Sequence, residues 1–143
     1  MIMRRLVSIL IFFTTFSAIN GQDVTVTASF DSSKIFIGDQ IFYTVTIDQP
    51  SDLVLDFIKL KDTLCKNIEI LSGPVIDTST ISPGRLKLIS KYLITSFDSG
   101  YYLVLPAKAE IKNENGIKRF YSDYSLLEVM RVKITPPDTA VKI

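Results

Sequence analysis

The residues best suited to chemistry in this chain of 143 residues are its carboxylates and its one thiol. Asp98 stands in the stretch Phe-Asp-Ser-Gly-Tyr-Tyr-Leu-Val, residues 97–104, and Cys65 precedes Lys66. A turn aspartate could serve as a general base or a calcium ligand, and a cysteine could serve as a nucleophile. Both roles need partners. The chain has no histidine, which removes the commonest general base, the usual zinc ligands and any Ser-His or Cys-His pair. Asp98 has no second carboxylate close to it in sequence. Lys66 adjoins Cys65, but neighbours on a strand point to opposite faces, so the cation would not lower the thiol pKa. A single cysteine cannot form an internal disulfide. Cys65 is therefore expected to be buried and inert, or to pair with another chain. No catalytic, metal-binding or cofactor-binding residue is expected.

Hydrolytic glycosidase chemistry would need two carboxylates facing each other across a cleft. The chain has 15 acidic residues, but Asp31, Asp39, Asp48 and Asp98 read as surface turn residues. Sugar binding favours exposed planar aromatics, and tryptophan is absent. A net charge of +1 leaves no electrostatic footprint for nucleic acid.

The elements that would position these residues are strands. First, however, Met1-Ile-Met-Arg-Arg5 followed by the apolar run Leu6–Ile19 reads as a secretory signal peptide, with a cut after Gly21. The run is short of the roughly 20 residues a spanning helix needs. Without residues 1–21 the chain carries 14 basic and 15 acidic residues, a net charge of −1, and has no further long apolar stretch. It is expected to be exported, in the periplasm or on the surface of a Gram-negative cell, with no transmembrane segment.

From Asp23 onward apolar and polar residues alternate. Val24, Val26, Ala28 and Phe30 share one face, as do Ile41, Tyr43, Val45 and Ile47. Period two over such lengths predicts half-buried antiparallel strands. Gly38-Asp39, Ser82-Pro-Gly84 and Asn113-Glu-Asn-Gly116 are turn signals. Gln49–Asn67 is ambiguous between a strand near Leu53–Phe57 and a helical turn at Ile58–Leu64. Ile68–Thr78 reads as strand, Gly-Pro break, strand. Arg85–Phe97 and Tyr101–Ile111 read as further strands, with Pro106 marking an edge, a bulge or a strand end. Ile117–Thr135 closes a series of about eight strands, an antiparallel β-sandwich over residues 22–135. Residues 136–143 look like the start of a linker.

Within this frame Asp98, Gly100 and Tyr102 read as architecture. In immunoglobulin-like sandwiches an Asp-x-Gly-x-Tyr turn leads into a strand whose tyrosine folds its hydroxyl back onto the chain, the tyrosine corner. Gly100 would tolerate positive φ, Asp98 would bond nearby N–H groups, and Tyr102 would bury its ring with its hydroxyl satisfied. Val45 and Val104 stand where antibody-type domains carry their cysteines, so packing replaces the disulfide.

The blocks Val24–Ile47 and Tyr92–Val132 carry an order of motifs. Alternating strand, Asp, short strand and Gly-Asp turn come first. Ser-Gly turn, apolar-Pro step, Asn-Gly hairpin and a closing Leu-x-Val follow. This order resembles the first domain of the BatD-like (Bacteroides aerotolerance, or oxygen tolerance) exported proteins. The resemblance implies a periplasmic immunoglobulin-like domain without a catalytic role. It also implies envelope-protein partners, such as membrane proteins of the von Willebrand A type. BatD-like proteins usually add further domains and a C-terminal membrane helix, neither of which is expected within these 143 residues. The leading expectation is an interaction module working through a sheet edge or loop tips, with Phe120, Tyr121 and Tyr124 as the candidate surface and Tyr101 nearby. Ordinary cross-strand packing of those rings is the alternative. Two further alternatives are a small-ligand or carbohydrate binder and a surface-assembly subunit.

Overall fold

The computed structural model describes residues 24–57 and 59–133; the expected signal peptide and residues 136–143 lie outside them. The described chain is all-β. Its strands are β1 (Thr25–Phe30), β2 (Lys34–Phe36), β3 (Gln40–Pro50), β4 (Asp56–Phe57), β5 (Thr63–Cys65), β6 (Ile68–Ser82), β7 (Arg85–Thr95), β8 (Gly100–Val104), β9 (Lys108–Asn113), β10 (Gly116–Tyr121) and β11 (Ser125–Met130). No helix of the described residues is long and apolar enough to cross a membrane.

The alternating pattern becomes one large sheet of order β1-β3-β7-β6-β5. Val26 on β1 and Tyr43 and Ile47 on β3 turn inward and are buried. The turn between β2 and β3 forms as its residues suggest: Gly38 takes φ +85°, and the Asp39 carboxylate accepts the Phe36 N–H at 2.9 Å. β3 then pairs antiparallel with β7 from Gln40↔Thr95 to Pro50↔Arg85. Asp48, expected in a turn, lies within β3. It accepts Arg85 Nη2 at 2.6 Å across the sheet, because β3 runs on past the predicted boundary.

Gly73-Pro74 does not break β6. The strand runs 15 residues, and its register against β7 shifts between Ile70 and Ser72 and again between Ser72 and Val75. Gly73 absorbs the irregularity at φ +104°, where a Cβ would sit 2.5 Å from the Lys91 carbonyl oxygen. A bulge thus replaces the expected break. The described residues of the ambiguous segment hold no helical turn, and Ile58 lies outside them. Thr63–Cys65 pairs with Ile68 and Glu69 at the β6 edge, with Asp62 and Asn67 at φ 65° and 69°. Aspartate and asparagine tolerate that conformation better than other side chains.

Two small sheets face the large one, of order β10-β9-β4 and β2-β11-β8. The strand expected over Tyr101–Ile111 is split by Leu105–Ala107, since Pro106 removes a ladder donor. The closing strand is split in turn at Ser122–Tyr124. The two splits are joined: Ala107 N–H donates to Ser122 Oγ at 2.8 Å, and Ser122 N–H donates to the Ala107 carbonyl at 2.9 Å. Among the described strands pairing is antiparallel except between β2 and β11, which are parallel.

Two apolar clusters hold the layers together. One joins Tyr43, Tyr92 and Ile94 of the large sheet to Ile35, Val104, Leu127 and Val129. The other joins Val26 and Ile47 to Ala109, with Phe57 and Phe120 against it. The large sheet therefore covers both small ones, a two-layer, sandwich-like arrangement. Burying each large side chain contributes about 1.5 to 3 kcal/mol, so this packing supplies the dominant favourable term without a disulfide.

Candidate interaction surface

β8 and β11 have apolar residues on both faces, which sets them apart from β1. Tyr102, Val104, Leu127 and Val129 point inward, and Tyr101, Leu103, Leu126, Glu128 and Met130 point outward by strand alternation. The register brings Leu103 opposite Leu126 and Tyr101 opposite Glu128. On the other side of β11, Glu128 faces Lys34 and Met130 faces Phe36. Tyr101 donates its hydroxyl to Glu128 Oε1 at 3.1 Å, and Lys34 Nζ lies 3.5 Å from Glu128 Oε2. One polar row across three strands is thus flanked by apolar rows on both sides.

These side chains are open to solvent. Tyr101 is 72% exposed, and Leu103 and Leu126 are 56% and 55% exposed. Tyr124, one residue before the Ser125↔Val104 pair, is also exposed and extends the apolar row. Two rings elsewhere carry a cation over them. Lys91 Nζ stands 5.9 Å from the Phe42 ring centre, and Lys118 Nζ stands 5.3 Å from that of Phe120. Among the described residues no cation covers Tyr101 or Tyr124.

The aromatic trio named from sequence does not stay together. Phe120 is half-buried against Val26, Ile47 and Ala109, while Tyr121 and Tyr124 are exposed. Successive residues on a strand face opposite ways, so Phe120 and Tyr121 cannot share a surface. Leu103, Leu126 and Phe36 were missed. For Leu103 the signal was the run Tyr-Tyr-Leu-Val-Leu at 101–105, which leaves no polar alternate for a solvent face.

The turn before β8 lies at the edge of this face. Tyr102 donates its hydroxyl to the Asp98 carbonyl at 2.8 Å and approaches that of Ser99 at 3.2 Å. Gly100 takes φ +150°, packed against the Tyr102 ring. Among the described residues the Asp98 carboxylate bonds nothing, and the buried Ser96 organises the turn instead. Its hydroxyl donates to the Asn67 carbonyl at 2.7 Å and meets both the N–H and the carbonyl of Asp98.

Cys65 is a free, half-buried thiol whose pKa burial pushes up. Its Sγ contacts the Lys66 carbonyl rather than a cation. No group of three metal-ligating side chains forms among the described residues.

No protein-family model matches the chain, and no curated protein matches it.

Proposed function

We propose that this protein is an exported, non-enzymatic, immunoglobulin-like β-sandwich that binds another envelope protein through the outer face of β8 and β11. The observation that carries the proposal is the exposed row formed by Leu103, Leu126 and Tyr124 beside Tyr101. Isolated exposed apolar residues are ordinary on a protein surface, whereas a contiguous row marks an interaction site. Tyrosine there adds rigid contact area with a polar tip, the composition favoured at interface cores.

The strand order supports the immunoglobulin-like reading. The order β1-β3-β7-β6 resembles that of the four-stranded sheet of that fold, and β8 beside β11 would correspond to its last two strands. The Tyr102 bond to Asp98 has the geometry of a tyrosine corner at the strand the fold requires. Together with the ordered motifs of the sequence, these features favour a BatD-like envelope protein with a von Willebrand A-type membrane protein as partner.

The test is site-specific photo-crosslinking in the native cell envelope. A crosslinker at Leu126 is expected to capture one envelope protein, and one at Lys91, on the outer side of the large sheet, is expected to capture none. Equal yields at both positions, or none at Leu126, would sink the proposal.

A further inference from the structure

A cavity of about 330 Å³ lies between the large sheet and the bend where β8 passes into β9. Its floor is Tyr43, Ile47 and Ser90 of β3 and β7. Its side wall is Phe57 of β4, Leu64 of β5, and Leu60 between them. It meets the surface beside Leu105, which is 70% exposed, and Lys108, which is half-buried. The outer face of β8 and β11 plays no part in it.

The chemistry of the lining is almost wholly apolar, and no carboxylate is among the lining residues. Paired acids for hydrolysis are therefore not available inside it. The volume decides the size of what fits. A water takes about 30 Å³ of the liquid, and a methylene is of similar bulk, so there is room for roughly ten carbon atoms. Pockets of a few hundred Å³ with apolar walls are the common form of small-ligand sites.

Lys108 is the one charged residue among those that line the cavity. Lys59 and Lys61 flank Leu60 in the chain, are exposed and form no ion pair among the described residues. Lys108 shares the single carboxylate of Glu110, at 2.9 Å, with Arg119, at 3.1 Å. Lys112 reaches Asp56 only at 3.9 Å. Over residues 56–66 and 104–119, which carry most of the lining, seven Lys and Arg stand against four Asp and Glu, a local surplus of positive charge. A hydrocarbon chain is driven into such walls by burial, and an anionic end is drawn to such a surplus.

We propose that the cavity binds a single-chain anionic amphiphile of about ten carbons, a medium-chain carboxylate, with its alkyl chain between the layers and its carboxylate at the rim. Binding is reversible and involves no covalent step.

Calorimetric titration of the full-length chain with sodium decanoate tests this, alongside acetate and decyltrimethylammonium. Decanoate is expected to saturate at one molecule per chain and to raise the unfolding temperature, acetate to do neither, and decyltrimethylammonium to bind far more weakly. Ser90→Leu and Ala107→Leu each place extra bulk in the cavity and are expected to weaken decanoate at least about tenfold, the usual effect of a methylene-scale misfit. Lys59→Gln with Lys61→Gln is expected to weaken it by about threefold, as exposed charges do. Failure of the wild-type chain to bind decanoate saturably would overturn the proposal. So would unchanged affinity in both leucine variants, each shown to unfold cooperatively. Equal affinity for decyltrimethylammonium would overturn the anionic assignment.

Discussion

The Tyr102 hydroxyl donates to the carbonyl oxygen of Asp98, 2.8 Å away and four residues back in the chain. The bond ties the start of β8 to the turn that precedes it, and it uses the backbone of Asp98 rather than its side chain. The two positions should therefore respond differently to substitution. Tyr102→Phe is expected to lower stability by about 1 kcal/mol, the net worth of one such bond. Asp98→Ala should stay within about 0.5 kcal/mol of the parent, as surface changes do. Urea midpoints of the two variants decide it, and equal losses would contradict the geometry.

A harsher result is expected at Gly73. A methyl group there would lie 2.5 Å from the Lys91 carbonyl, on backbone at φ +104°. Neither strand of the hairpin can yield without breaking its ladder. Gly73→Ala should cost upwards of about 2 kcal/mol, since strain of this kind is among the larger single-residue effects. Gly84→Ala offers a comparison: its φ is +77° but nothing lies within 4 Å, so its loss should be smaller. Thermal unfolding of the pair would show the difference.

Alkaline pH should destabilise the domain through Tyr43. Burial, with Tyr92 close by, pushes its hydroxyl pKa up to about 12 from 10, partly offset by a hydrogen bond with Ser125. Burial raises Tyr92 as well. A group whose folded value lies above its unfolded one contributes stability that is complete below pH 10 and is lost as the pH rises through about 12. The loss from Tyr43 is roughly 2 to 3 kcal/mol. Tyr43→Phe should flatten that part of the stability-against-pH curve.

Acid acts with the opposite sign at Glu110. Hydrogen bonds from Lys108 and then Arg119 lower its pKa below the ordinary 4.5. The stability it contributes is present above 4.5 and fades as the pH falls through the lower folded value. Glu110→Gln should remove that portion of the acid response. Because the carboxylate lies near the surface, added salt should shrink the effect.

Leu103→Ser with Leu126→Ser should leave the unfolding midpoint nearly unchanged while abolishing capture of an envelope partner. Side chains more than half exposed contribute little to the fold. A large drop in midpoint would mean that the row serves stability instead.

Much of this fold can be read from the sequence where one signal acts alone. Period two places Val26, Tyr43 and Ile47 inward, and Gly38-Asp39 and Asn115-Gly116 mark their turns. Legibility fails where two signals compete. Gly73-Pro74 carries the composition of a break, yet the long pairing with β7 overrides it and leaves a bulge. Thr63–Cys65 is too short for its periodicity to decide, and only the β6 edge makes it a strand. The candidate surface suffers a related ambiguity. A run such as Tyr101–Leu105 reads the same whether both its faces are buried or one is exposed for a partner. Phe120 and Tyr121, neighbours in sequence, fall on opposite faces for a reason that alternation does predict once β10 is placed.

The parallel pairing of β2 with β11 has a mechanical consequence. β2 belongs to the first part of the described chain and β11 to its end, and Lys34–Phe36 lie alongside Glu128–Met130 in the same direction. Force applied to the two ends of such a chain pulls these strands along each other rather than apart. All the bonds between them are then loaded together, in shear, instead of opening one at a time like a zip. A domain held between the cell envelope and a partner would bear tension well in that geometry.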